Sequence, residues 1–282
     1  MSANNPVAFR PLHESHAIEQ VVISVHFANV LPEEVLRAGA ASMLQFKKEL
    51  GGQQDITGVN LSLGPGGVAP MVLPSFQGQA RFATDNAGVL LKELRLEAQA
   101  IVFRSQRYTR WNALWKEAGK YLEALLACAG DAQIASLNLQ YTDKFLWQSS
   151  PGSCRSDLLL RRDSPFVAPR IFDAGDLWHC HSGRFERLND AVQRLEIVDL
   201  DCIDEGPEQP GTEPTRAVLI TTSVSDRFNR PGYHAVDFPA RQALAGINEV
   251  FNNLHTQVKS VFSQIITDEI SDSIGMNDVD VE

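Results

Sequence analysis

The chain has 282 residues, 44% of them hydrophobic and 21% charged, with a formal net charge of -10 at pH 7. That is an ordinary composition for a soluble globular protein, with chain enough for one large or two ordinary domains. No run approaches the ~18 consecutive apolar residues of a membrane helix, and no basic stripe is present to hold a phosphate backbone, which argues against nucleic acid.

Residues 1–16 are polar and read as a flexible N-terminus. With neither a basic start nor an apolar run they are not a secretory signal. Val21, Ile23, Val25 and Phe27 alternate with other residues and predict a strand over 18–27. Pro32 opens a helix that Gly51 and Gly52 close. Val59, Leu61 and Leu63 mark a second strand, and the run at 64–70 is a loop by composition. Ala80 and Phe82 belong to a third strand, and Asp85 to Gly88 make a tight turn. Leu90, Leu94 and Leu96 line a fourth strand, Ile101 and Phe103 a fifth. Thr109 is placed to cap a helix whose apolar face runs from Trp111 through Leu114, Leu122 and Leu125 to Ala129, with Gly130 as its stop.

The order of elements then repeats. Leu137, Leu139 and Tyr141 predict a long strand reaching Trp147, and 156–162 a short helix. Strands follow over 177–181, 185–188, 195–203 and 216–224, with a hairpin turn at Ser182 and Gly183 and a long acidic turn at 206–214. The last helix runs from Ala240 to Ile266. Leu244, Ile247, Phe251, Leu254, Val258, Val261 and Ile265 recur every three or four residues, so all seven fall on one stripe. Val250 and Phe262 widen that stripe, and its flanks lack the Glu and Lys of a coiled coil, so it is expected to pack on a sheet.

The fold class expected is α+β. Duplicated strand-helix-four-strand-helix units form a curved antiparallel sheet with long helices on one face. The units span residues 17–131 and 132–267, between the flexible N-terminus and an acidic tail at 268–282. The order resembles the TATA-binding-protein-like fold, which also underlies GyrI-like bacterial effector-binding domains. Acidic groups cluster at 195–213 and 267–282, where no Lys or Arg occurs. Both stretches read as solvated loop and tail. Cys128, Cys154, Cys180 and Cys202 lie far apart without a C-x-x-C pair, which points to free thiols in a reducing cytoplasm.

The run LHTQVKSVFSQIITDEI over 254–270 resembles the end of a sporadically distributed bacterial protein family. The likeness rests on Leu254, His255, Phe262, Ile266 and Thr267, on an apolar first strand like 17–27, and on Tyr141 after an aromatic-rich helix with Trp111 and Trp115. The family carries an Arg before that tyrosine, where this chain has Gln140. The resemblance brings no established activity. It implies a gene of mobile or defence-associated loci.

The sharpest local motif is His179-Cys180-His181. On a strand the two imidazoles share a face about 6.5–7 Å apart, which suits one zinc ion with Asp199 or Asp201 completing the set. The alternative is two solvent-facing histidines. Asp204 and Glu205 extend the acidic stretch without the glycine spacing of a calcium loop. Cys154 beside Arg155 has no identifiable histidine partner, 64–67 lacks the Lys of a phosphate loop, and His255 sits one position from the buried stripe. No catalytic residue and no cofactor are assigned. The function expected is a non-enzymatic binding or regulatory protein, monomer or homodimer. It holds a small molecule or an unknown protein partner on the concave sheet face, where Phe82, Phe103, Tyr141 and Trp147 could line the surface. The alternative is a metal-assisted hydrolase centred on His179 and His181. A membrane and nucleic acid are not expected as partners.

Overall fold

The structure is a computed structural model and describes residues 8–62, 71–206 and 214–276. In chain order it forms β1 (Phe9–Pro11), β2 (Ile18–Phe27), α1 (Glu33–Ser42), β3 (Gly52–Ser62), β4 (Met71–Thr84), β5 (Leu90–Glu97), β6 (Ala100–Ser105) and α2 (Trp111–Ala129). These are followed by β7 (Ile134–Trp147), β8 (Trp178–Arg187), β9 (Val192–Glu205), β10 (Thr215–Phe228), α3 (Ala240–Ser263) and α4 (Asp268–Ser273). All strand pairs are antiparallel within one sheet of order β3-β4-β5-β6-β2-β7-β10-β9-β8, and β1 pairs with the end of β7. This is an α+β architecture, as the alternation of apolar and polar residues predicts.

The centre of the sheet is the pair β2 and β7. Val21 stands opposite Tyr141, Ile23 opposite Leu139 and Val25 opposite Leu137. The apolar row continues outward through Phe103 and Leu94 on β6 and β5, and through Val224 on β10. Period-2 alternation sends all these side chains to one face, where they form one buried cluster with Leu36 of α1, Leu122 of α2 and Phe251 of α3. Gly130 ends α2 with a positive φ of 56°, a conformation glycine adopts without strain, and its N–H donates to Leu126 O at 3.2 Å.

α3 carries the stripe the sequence predicts. Ile247, Phe251, Leu254, Val258, Val261 and Phe262 are buried, and the helix packs on β7, β10 and α2. The stripe is thus the roof of an intramolecular core. The helix ends at Ser263; Ile265 and Ile266 turn away beneath it, and Ile266 bridges to Leu160. A second cluster lies under this end. It joins Phe145, Val198, Leu200 and Ile220 of the sheet to Phe166 and Ile171 of the 148–177 segment.

Several expectations need correction. β8 is one continuous strand through Ser182 and Gly183. A Cβ on Gly183 would meet Glu196 O at 3.0 Å, so the glycine serves a close approach of two strands and not a turn. The second half therefore has three meander strands where the first has four, and its crossover uses short 3-10 turns in place of an α-helix. The Pro32 helix ends at Ser42 and continues as a 3-10 turn over Met43–Phe46. α2 begins at Trp111, with Arg110 and not Thr109 in the capping position. In the polar N-terminus, Phe9 is wholly buried and pairs with Trp147. In the acidic tail, Ile270 of α4 is buried in the second cluster. One apolar residue on a short polar segment is enough to dock it when a core is adjacent. The run at 64–70 and residues 207–213 of the acidic turn at 206–214 lie outside the described residues. Among the described residues no helix is long and apolar enough to cross a membrane.

Truncating a wholly buried Phe leaves a cavity as well as losing its transfer energy. Phe251→Ala should lower unfolding stability by about 3–5 kcal/mol, measured by urea titration. A loss below about 1 kcal/mol would mean that α3 is not the roof of the core.

Candidate functional site

The second half of β7 changes partners. Asp143 still pairs with Ile18 of β2, whereas Phe145 pairs with Pro11 of β1. Between these strands the chain leaves the sheet and is pinned by a bridge between His13 and His16 and by the Lys144 N–H, which donates to Ala17 O at 2.8 Å. The register of β2 also slips between Ile18 and Gln20. An open cleft of about 120 Å³ lies at this break, on the helix-covered face. It follows the seam between the two hydrophobic clusters. Tyr141 and Val258 come from the first, Ala17 and Phe262 from the second.

Three other segments close the cleft. From α3 come His255 and, one turn on, Lys259; from the approach to α2 come Tyr108, Arg110 and Trp111; from the segment after α4 come Ile274 to Met276. The position of α3 is set by aromatic contacts. The His255 ring stacks on Trp111, centroids 4.5 Å apart and planes 6° apart, and its Nδ1 shares a hydrogen bond of 3.1 Å with the Tyr141 hydroxyl. Trp111 Nε1 donates to Asn252 Oδ1 at 2.7 Å, and Trp115 Nε1 donates to Asn248. Tyr108 stands edge-on to Tyr141, ring centroids 5.7 Å apart. A histidine one position off the apolar stripe thus locks the helix to the central strand.

Asp143 is the unusual member. Its side chain faces the cleft from a core-facing position of β7 and is only 5% exposed. Among the described residues no hydrogen bond or ion pair reaches it. Burial alone pushes its carboxyl up to about 8, because an ionised carboxylate without a partner is costly in a low-dielectric site. Burial likewise holds the Tyr141 phenol well above its ordinary value, with Tyr108 second. It lowers the pKa of His16, whose neighbour His13 adds to the effect. The buried Nδ1 of His16 meets no hydrogen-bond partner among the described residues. At neutral pH the cleft therefore combines a protonated acid and a neutral imidazole on aromatic walls, with Lys259 and Arg110 also in its lining.

The residues singled out for metal binding lie elsewhere, on the opposite face. His179 pairs with Asp201 and His181 with Asp199 across β8 and β9. His179 Nδ1 lies 2.6 Å from Asp201 Oδ1, and His181 Nδ1 is bonded to Asp199. The structure thus assembles the four residues as two separate exposed pairs. Among the described residues no group of three or more His, Cys, Asp or Glu side chains is arranged to hold one metal ion. Asp204 is engaged by Arg216, and Glu205 by Lys144. Phe103, Tyr141 and Trp147 point into the covered core, while Phe82 lies on the open face. All four cysteines are free; the hydrogen bond shared by Cys154 and Cys202 raises the Cys154 thiol pKa, and the same bond together with Arg216 lowers that of Cys202.

Sequence reasoning passed over Asp143, His16, Arg110 and Lys259. One signal was available. Leu137, Leu139, Tyr141 and Phe145 take the inward positions of β7, so Asp143 is a carboxylate where the alternation calls for an apolar side chain. Compared with protein-family models and with curated proteins, the chain matches none.

An unfolded aspartate titrates near 3.9. Between that pH and about 8 the folded protein keeps a proton on Asp143 that the unfolded chain has lost. The group's contribution to stability therefore declines as pH rises through this window and levels off above it. At about 1.4 kcal/mol per unit the decline is several kcal/mol in all. Asp143→Asn should flatten it, so that the variant gains on the parent between pH 5 and pH 8. Urea titrations at the two pH values check this; parallel losses in both proteins would show that Asp143 is not the titrating group.

Proposed function

We propose that this protein is a binding protein that holds a small ligand in the cleft beside Asp143, without transforming it. The observation that carries the reading is the carboxyl of Asp143, buried and facing a cavity with no described partner. A buried polar group in that state costs stability, and a ligand that completes its bonds recovers it. Concave, largely apolar sites with a few convergent polar groups are where small molecules bind. Binding is favoured over catalysis because the hydrogen bond between His255 and Tyr141 joins a phenol that burial keeps protonated. It serves to place α3 and does not activate a nucleophile.

The open sheet face is the weaker location. Its polar groups already engage one another: Thr142 with Thr221 at 3.1 Å, Ser223 with Asn138 at 2.8 Å, and Lys144 with Glu19 at 3.3 Å. The connectivity supports reading the chain as two related units. In the first, β2 lies beside β6; in the second, β7 lies beside β10; each unit ends in a long helix. On that reading, akin to the TATA-binding-protein-like arrangement, the cleft opens where the units join, and a ligand there could act as a regulatory signal.

The test is a thermal-shift screen of common metabolites, with mass spectrometry of small molecules released from the purified protein by heat. A ligand at 100 times its Kd adds about 2.7 kcal/mol, or about 5 °C or more for a chain of this size. The shift should shrink in Asp143→Asn and persist in Ser223→Trp, which obstructs the open face. Loss in Ser223→Trp with retention in Asp143→Asn would place the ligand on the sheet instead.

A further inference from the structure

Cys154 and Cys202 are brought together by contacts that do not involve sulfur. Phe145, Val218, Cys202 and Trp178 stand in one row across β7, β10, β9 and β8 and pack in the second cluster. The short turn Pro151–Ser153 and the residues after it are tied to both ends of that row. Trp147, two residues beyond Phe145, donates from Nε1 to Ser153 Oγ at 3.3 Å. Trp178 Nε1 donates to Ser156 Oγ at 3.1 Å. Cys154 lies between these anchors and packs on the cluster that contains Cys202, and the two thiols share a hydrogen bond.

The two thiols differ in access. Cys202 is 2% exposed, whereas Cys154 is half-buried. They also differ in charge environment. The bond from Cys154 favours a thiolate on Cys202, burial opposes it, Arg216 favours it and Asp204 opposes it. Arg216 is itself held by Asp204 and Asp176. Two thiols in this arrangement titrate as a pair, giving up a first proton readily and a second reluctantly. Cys128 and Cys180 are bonded instead to backbone carbonyls, of Ala124 at 3.4 Å and Phe166 at 3.8 Å.

We infer that Cys154 and Cys202 form an oxidation site for hydroperoxides and close reversibly into a disulfide that fastens the 148–177 segment to β9. The inference is independent of the cleft. The chemistry starts on the accessible sulfur. Cys154, as thiolate, attacks the hydroperoxide; an S–O bond forms and the O–O bond breaks. The leaving oxygen takes the proton that the pair had kept on Cys202. Cys154 is then a sulfenic acid and Cys202 a thiolate. Cys202 needs no access to solvent for the second step, because its target is the neighbouring sulfur. It attacks Cys154, the S–S bond forms, the S–O bond breaks, and hydroxide leaves and is protonated to water. The two thiols are oxidised by two electrons and the hydroperoxide is reduced by two. With hydrogen peroxide the products are the disulfide and two molecules of water.

The test treats the reduced protein, under native conditions, with a small excess of hydrogen peroxide, removes the excess with catalase, and counts thiols after unfolding. Two of the four should be lost, and dithiothreitol should restore them. Digestion with trypsin without reductant should yield residues 145–155 joined to residues 195–216, the peptides that carry Cys154 and Cys202. In Cys202→Ser, Cys154 should stop as the sulfenic acid and take up dimedone. In Cys154→Ser, Cys202 should stay a thiol. The peptide map of the parent decides the matter by itself if either variant fails to fold. Survival of all four thiols would overturn the inference, as would a bridge to Cys128 or Cys180, or oxidation of the partly exposed Cys128 ahead of the pair. Dimedone on Cys202 in Cys154→Ser would also overturn it, since the attacking sulfur would then be the wrong one.

Discussion

One helix has to cover two cores. α3 is 24 residues long, and its apolar stripe runs from Ala243 and Ile247 over the first cluster to Val261 and Phe262 over the second. Burying side chains of this size contributes about 1.5–3 kcal/mol each, so the stripe fixes the helix against β7 and β10 along its length. The ring of His255, stacked on Trp111 and bonded to Tyr141, sets the rotation of the helix where the stripe passes from one cluster to the other. Every wall of the cleft except the 15–18 and 274–276 segments follows from that placement.

The contrast among buried charges on the covered face shows why Asp143 stands apart. Glu196 is wholly buried, but Arg184 donates to it at 2.5 Å and Gln257 at 2.7 Å. Arg194 and Asp226 form a bidentate pair at 2.7 and 2.9 Å. These groups lose hydration and regain it from fixed partners, so they are tolerated and help specify the register of β8, β9 and β10. Asp143 shares their face and their burial without a described partner, and its neutral form is the cheaper one. Groups left in that state are where a fold departs from its stability optimum, and such departures mark sites of function.

The partner exchange on β7 explains how a cavity persists inside a well-packed layer. β1 and β2 pair with β7 on either side of the excursion at residues 12–17, and the cleft beside Asp143 lies at that excursion, with Ala17 and Ile18 in its lining. The first and second clusters therefore meet without merging. On the opposite face cross-strand pairs such as His179 with Asp201 and His181 with Asp199 are engaged with one another.

Most of the framework is legible in the chain because its determinants are local. Alternation marks β2, β7 and β10, a spacing of three and four marks α3, and Gly130 marks the end of α2; each signal spans a few residues and depends on nothing far away. The same locality places His179 and His181 on one face correctly. It fails at Gly183, because a glycine that permits a close approach of strands looks in sequence like one that permits a turn. Asp143 could be noticed as a misplaced carboxylate, but not interpreted. Its setting is made by residues 15–18, 108–111, 255–262 and 274–276, which only tertiary packing brings together. The sequence by itself determined which faces are buried, since that depends on period. Only the tertiary structure decided where burial is left incomplete, since that depends on how two separately determined surfaces meet.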